Sequence, residues 1–186
     1  MKNFFVLFFV FVFSSYAHAA SEDLTDILST KELAREFHIP SGAGHDLHRI
    51  GSVRLQIIVH KALVNETLEV ILDGQTLYSW PTSTGRDQDE TAPSGEHDYT
   101  TTHEGTFRIF KMVQNYMSIE WKAPMFDAMF FDGGIAIHGI SADHYAQLGT
   151  PVSGGCVRLD QTNAATLWDL VHQIGTRHTV VIVTSR

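Results

Sequence analysis

From Ser52 onward the sequence takes on the character of strands, and this constrains the fold more than any other feature. SVRLQIIVH, ETLEVIL and TLYSWPTST are three successive runs rich in β-branched and aromatic residues. Asn65-Glu66 and Asp73-Gly74-Gln75 separate them, and an Asp-Gly pair is a strong hairpin signal because it supplies the positive φ angles that a two-residue turn needs. Strand-like runs resume with TFRIFKMV, YMSIEW, AMFF and GIAIHG. The polar stretch at 86–105, RDQDETAPSGEHDYTTTHEG, reads as a long loop or excursion, and loops of that length in a compact domain are usually functional or mobile.

One helix is expected late in the chain. Asp160 is placed to cap QTNAATLWDLVHQI, with Ala164, Leu167, Val171 and Ile174 on the buried side, and Gly175 stops it before a closing strand, HTVVIV. A helical lead-in is expected near the start. In SEDLTDILSTKELAREFHI, residues 21–39, Leu24, Ile27, Leu28, Leu33 and Phe37 fall at helical spacing before Pro40 and SGAG end the run. Before it, MKNFFVLFFVFVFSSYAHA has a lysine, an apolar run from Phe4 to Phe13 and a small-x-small end, the signature of a secretory signal peptide. That run is too short for a membrane span, which takes about 20 residues. The expected organisation is a signal peptide at 1–19, a helical lead-in at 20–50 and one mainly β domain at 51–186. The mature protein is expected in the periplasm or cell envelope, without stable membrane insertion.

The net charge of −8 argues against nucleic acid as a partner, because phosphate binding needs clustered Lys and Arg. Eleven histidines raise the question of a metal. His45 and His48 lie in a glycine-flanked loop, His138 and His144 have no periodic segment to aim them together, and no HExxH occurs. Neither a metal nor another cofactor is expected.

The single cysteine, Cys156, stands in TPVSGGCVRLD, residues 150–160. One thiol excludes an internal disulfide, and an odd thiol in an exported chain is unusual. Four readings compete: a buried apolar residue, a metal ligand, half of an intermolecular bridge, or a nucleophile. Ser153-Gly154-Gly155 is a stretch that can aim successive amides at one point, which suits a thiolate or an oxyanion. A nucleophile also needs a base, and His138, at the end of GIAIHG, is the natural candidate. Residue chemistry alone leaves an inert thiol equally open.

Ile137-His138-Gly139 followed by Ser153-Gly154-Gly155-Cys156-Val157-Arg158-Leu159 resembles the L,D-transpeptidase catalytic (YkuD) family, whose pattern is His-Gly, a spacer, then Ser-His-Gly-Cys-x-Arg or Asn. PTSTG at 81–85 is similar to the family's strand ending in Ser-Thr-Gly, THEGTFRI at 102–109 to its Thr-Pro-x-Gly-x-Phe segment, and KAPMFDAMFFDGGIAIHG to the apolar run before its histidine. The likeness covers about residues 50–184. Two features depart from the pattern: Gly154 stands where the family has histidine, adding backbone freedom beside the thiol, and Thr102-His103-Glu104-Gly105 follows an unusually long insertion.

The resemblance implies a β-sandwich-like fold and peptidoglycan stem peptides as substrate. Cys156, as thiolate, would attack the carbonyl after diaminopimelate. His138 would move the proton, oriented by the carbonyl of Gly139, and the amides of Gly155 and Cys156 would hold the oxyanion. An amine of another stem would resolve the thioester to a cross-link, or water to a trimmed stem. Arg158 would bind a stem carboxylate or anchor the loop. Ser153 would face substrate or, more in keeping with a serine beside glycine, bond within the turn. Tyr116, Trp121 and Met125 are expected in the core rather than the cleft. His97 and His103, on the insertion, are candidates to replace the missing histidine, or else solvated loop residues. An L,D-carboxypeptidase or other wall amide hydrolase with the same Cys/His pair, and a non-catalytic wall-binding domain, are the alternatives.

Overall fold

The computed structural model describes residues 53–185. The leader expected at 1–19 and the helix expected within 20–50 lie outside the described residues.

The three predicted N-terminal runs form β1 (Leu55–Lys61), β2 (Thr67–Leu72) and β3 (Gln75–Pro81), an antiparallel meander. Asp73 and Gly74 take φ of 50° and 79°, the paired positive values that the Asp-Gly signal calls for. After them come β4 (Asp89–Thr91), β5 (His97–Tyr99), β6 (Gly105–Phe107), β7 (Lys111–Met117), β8 (Pro124–Asp132), β9 (Ile135–Gly139), a 3₁₀ helix at Ala142–Gln147, β10 (Val157–Leu159), helix α1 (Gln161–Ile174), a short 3₁₀ turn at Thr176–His178 and β11 (Thr179–Ser185).

Two main sheets result. The first has the order β3-β2-β1-β11-β6, with β1 and β11 parallel from Leu55 opposite Thr179 to Lys61 opposite Ser185. Strand β1 is central, and both its faces are apolar: Leu55, Ile57 and Val59 enter the main core, while Ile58 packs with Val180 and Ile182 on the opposite face. The second sheet has the order β10-β9-β8-β7. Its inner residues Met129, Phe131, Ile137, Val157 and Leu159 share one core with those of the first sheet and with Ala164, Leu167 and Val171 of α1. The helix has the predicted bounds. Asp160 accepts from the Asn163 N–H at 2.8 Å, and Gly175 closes it with an N–H to Val171 O. Ile174, expected on the buried side, is only partly covered.

Three segments differ from the sequence reading. Residues 86–105 are not one loop: β4 and β5 pair as a ribbon, closed by Ala92 N–H to Glu96 O and Gly95 N–H to Ala92 O, both 2.8 Å. TFRIFKMV is divided, because Gly105–Phe107 pairs with β11 in one sheet and Lys111 onward with β8 in the other. The end of YMSIEW is a turn, where Ser118 N–H reaches Ala123 O and Ser118 Oγ accepts from Trp121 N–H. Among the described residues no helix is long and apolar enough to cross a membrane.

Candidate active site

The site is built on the outer face of the second sheet by a three-residue strand that the sequence did not announce. Strand β10 runs parallel to β9, with Val157 opposite Ile137 and Arg158 opposite His138. Side chains alternate along a strand, so Val157 and Ile137 enter the core while Arg158 and His138 share the outer face. Cys156, two positions before Arg158, falls on that same face beside Ala136, whose N–H lies 3.4 Å from Sγ.

The turn carrying the thiol is clamped from several directions. PTSTG lies along it: Ser153 N–H donates to Thr84 O (2.9 Å), Arg86 N–H to Ser153 O (3.2 Å) and Arg158 N–H to Ser83 O (2.9 Å). The buried carboxylate of Glu66 holds PTSTG in turn, accepting from Thr84 N–H at 2.7 Å and Thr84 Oγ1 at 2.5 Å. Burial pushes the Glu66 pKa up, and these bonds oppose the rise. Thr102, the first residue of THEG, donates to Gly155 O at 2.6 Å and accepts from Gly85 N–H. The matched segments far apart in sequence thus meet at one turn. Glu66 is a participant that sequence reasoning missed, since a lone Glu at the head of a strand gives no signal of burial.

Ser153 is fully buried. Its hydroxyl donates to Cys156 O at 2.5 Å and accepts from Gly155 N–H at 3.0 Å. Of the two roles weighed for Ser153, substrate binding is the one these bonds disfavour: a hydroxyl spent inside the turn, with no exposed surface, has nothing to offer a ligand. The same bond occupies the Gly155 amide, one of the two donors expected for an oxyanion. The Cys156 N–H makes neither a turn bond nor a ladder bond among the described residues. Gly155 itself has φ of 127°, a conformation L side chains rarely adopt.

His138 is 6% exposed, and its Nδ1 lies 2.9 Å from Gly139 O. With Nδ1–H donating to that carbonyl, Nε2 is left as the acceptor. Burial drives the His138 pKa down to about 4, the Gly139 bond works against this, and the Arg158 charge adds to it. Burial also pushes the Cys156 thiol up, against the lowering effects of the Ala136 N–H and Arg158. The resting pair is therefore neutral thiol and neutral imidazole, so the thiol still holds the proton that His138 would have to take. Sγ and the imidazole make no hydrogen bond to each other among the described residues; each is held by backbone instead.

A cleft of about 410 Å³ opens in front of His138 and Arg158, with Arg86, Pro124, His144 and Gln147 among its walls. Arg158 is held only loosely by side-chain contacts, 3.4 Å to Gln147 Oε1 and 3.5 Å to Val152 O, so its fork remains available. Burial lowers its pKa, and a nearby Cys156 charge would raise it. His144, placed by the 3₁₀ helix, is the second histidine of the cleft. His97 is exposed on the ribbon, and His103 sits 2.7 Å from Asp132, so neither is among the cleft's walls. Met125 is core, and Tyr116 packs edge-on against Phe130 at 5.2 Å. Among the described residues no three His, Cys, Asp or Glu side chains converge as a metal-binding group.

Trp121 has an unexpected position. Its indole lies against Gly154, in the space that a side chain at that position would need: a Cβ on Gly154 would stand 2.8 Å from Nε1, with Cε2 and Cζ2 closer still. The Arg86 guanidinium stacks over the same ring, 5.8 Å from its centre.

A sequence model of the YkuD family, described as the L,D-transpeptidase catalytic domain, matches residues 55–183. Similar folds occur in an L,D-transpeptidase from Mycobacterium smegmatis (21% identity, TM-score 0.54, covering 70% of this chain and 59% of that one). The L,D-transpeptidase of Xylanimonas cellulosilytica DSM 15894 (24% identity, TM-score 0.55, 73% and 63%) and that of Stackebrandtia nassauensis (20%, 0.54, 73% and 57%) are also similar. This chain therefore spans about three-fifths of the length of those structures. No curated protein matches the chain.

Proposed function

Because the chain belongs to the L,D-transpeptidase catalytic-domain family, we propose that Cys156 and His138 carry out acyl transfer on peptidoglycan stem peptides. The observation that carries this reading is the β9–β10 register, which sets Arg158 beside His138 and the thiol diagonally across from the ring, with Nδ1 tied to Gly139 O.

Cys156 and His138 share one face of the β9–β10 pair, so Nε2 is the nearby acceptor for the thiol proton in this reading. The imidazole then takes the thiol proton as sulfur attacks the carbonyl after diaminopimelate, so no free thiolate is needed beforehand. The Cys156 N–H is the backbone donor left for the oxyanion, because Gly155 N–H is engaged by Ser153. The imidazolium returns its proton to the departing D-alanine amine, leaving a thioester. An amine of a second stem displaces the sulfur to form a cross-link, and the thiol regains its proton. Arg158, at the wall of the cleft, pairs with a stem carboxylate through its planar fork. The leader at 1–19 belongs to the same reading, since the substrate lies outside the cytoplasm.

The test is incubation of the mature protein with tetrapeptide-bearing muropeptides, followed by mass spectrometry beside Cys156→Ala. Dimers or D-amino-acid exchange products that vanish in the variant are expected. Tripeptides alone would replace transfer by hydrolysis, and no Cys156-dependent product would overturn the reading in favour of a binding domain.

A further inference from the structure

We infer that Trp121 is the specificity-determining wall of this site, limiting the bulk of the group that can join Cys156. The inference rests on the reading of Cys156 as the nucleophile.

Position 154 lies two residues before the thiol, and in this chain its side-chain space is filled by an indole delivered from another part of the fold. Trp121 is presented by the Ser118–Ala123 turn. That turn is tied to the β4–β5 ribbon through Ser94 N–H to Glu120 O at 3.1 Å. The ring is half-buried, so part of it faces solvent. Arg86 covers the ring, lines the cleft, and is fixed by its own N–H to Ser153 O and by an ion pair to Glu90 at 2.9 Å. Indole and guanidinium thus stand as one stacked pair, with Arg86 lining the cleft and the indole lying on Gly154 of the nucleophile's turn. An indole is large and has few torsions, and its neighbour Arg86 holds it in place. Cys156 is two residues along the same turn, so on this inference a group bonded to Sγ is sized by the space the pair leaves.

Because the chain has one cysteine, labelling reads this site alone. The experiment compares the rates at which Cys156 reacts with iodoacetamide and with N-(1-pyrenyl)maleimide at one pH, in the wild-type chain and in Trp121→Ala, Trp121→Leu and Trp121→Phe. The ratio of the two rates cancels any change in thiol ionisation, which a merely structural effect would move equally for both reagents. Trp121→Ala and Trp121→Leu are expected to shift the ratio toward the bulky reagent by about tenfold, the discrimination a pocket draws from one or two apolar groups. Trp121→Phe, which keeps a ring, is expected to stay near wild type. Ratios unchanged in both Trp121→Ala and Trp121→Leu overturn the inference. Absence of Cys156-dependent products from muropeptides would instead overturn the transpeptidase reading while leaving the labelling ratio to stand.

Discussion

The burial of His138 has a measurable consequence for stability. In the folded protein the ring accepts a proton only near pH 4, whereas an unfolded imidazole does so near 6.5. Between those values the unfolded chain binds the extra proton, so lowering the pH favours unfolding. The contribution is fully present above pH 6.5 and is lost as the pH falls toward 4. A shift of this size corresponds to roughly 3 kcal/mol across the window. Glu66 acts with the opposite sign, because its raised pKa makes the folded state take up protons more readily. The two are separated by comparing the wild-type chain with His138→Gln, since Glu66 is common to both.

Urea unfolding at intervals from pH 7.5 down to 4.5 gives the free energy of each. The wild-type curve should fall away from the variant's by about 2–3 kcal/mol over that range, with the divergence starting near pH 6.5. Parallel curves would refute the buried, neutral imidazole on which the base role depends. The same shift predicts that kcat/KM on stem peptides keeps its acid limb well below 6.5, because the free enzyme holds its base deprotonated there.

Three further outcomes follow from the turn itself. Ser153→Ala removes the partner of Gly155 N–H and Cys156 O, and should cost about 1–3 kcal/mol in denaturant unfolding while slowing any Cys156-dependent reaction. Gly154→Ala forces the indole to move and should cost about 1–3 kcal/mol alone. The cost should be largely absent in a Trp121→Ala background, and simple additivity of the two would count against the packing described. Since burial raises the Cys156 pKa, alkylation by iodoacetamide should still be accelerating above pH 9; a plateau below pH 8 would mean a preformed thiolate.

Much of the β architecture was legible because it depends on local signals. The Asp73-Gly74 turn, the Asp160 cap and the Gly175 stop each act within a few residues of themselves, and the structure has all three where the sequence put them. Strand β10 was not legible. Three residues are too few for a periodic signal, and they are extended because β9 and Ser83 offer them partners on both sides. The ribbon at 89–99 was hidden for a similar reason: its residues are mostly exposed and polar, so no apolar alternation marks it. The candidate site divides along the same line. Cys156 and His138 stand out by residue type and Arg158 through the resemblance to the family pattern, whereas Glu66 and His144 gain their places only when distant segments fold together.

Gly154 illustrates the difference between a motif and its physical cause. Read along the chain, a second glycine before the cysteine suggests a backbone that needs freedom. In the structure Gly155 takes a positive φ and Gly154 does not. What demands glycine at 154 is space, and the claimant on that space is a tryptophan thirty-three positions earlier. A side chain rising from the turn at 154 and the indole that lies on it would claim the same space. An imidazole at 154 would bring a titratable group next to the thiol, while the indole brings bulk without charge at any physiological pH. On the proposed reading, His138 would set the pH response and Trp121 the room available, so the two properties should be altered by separate substitutions.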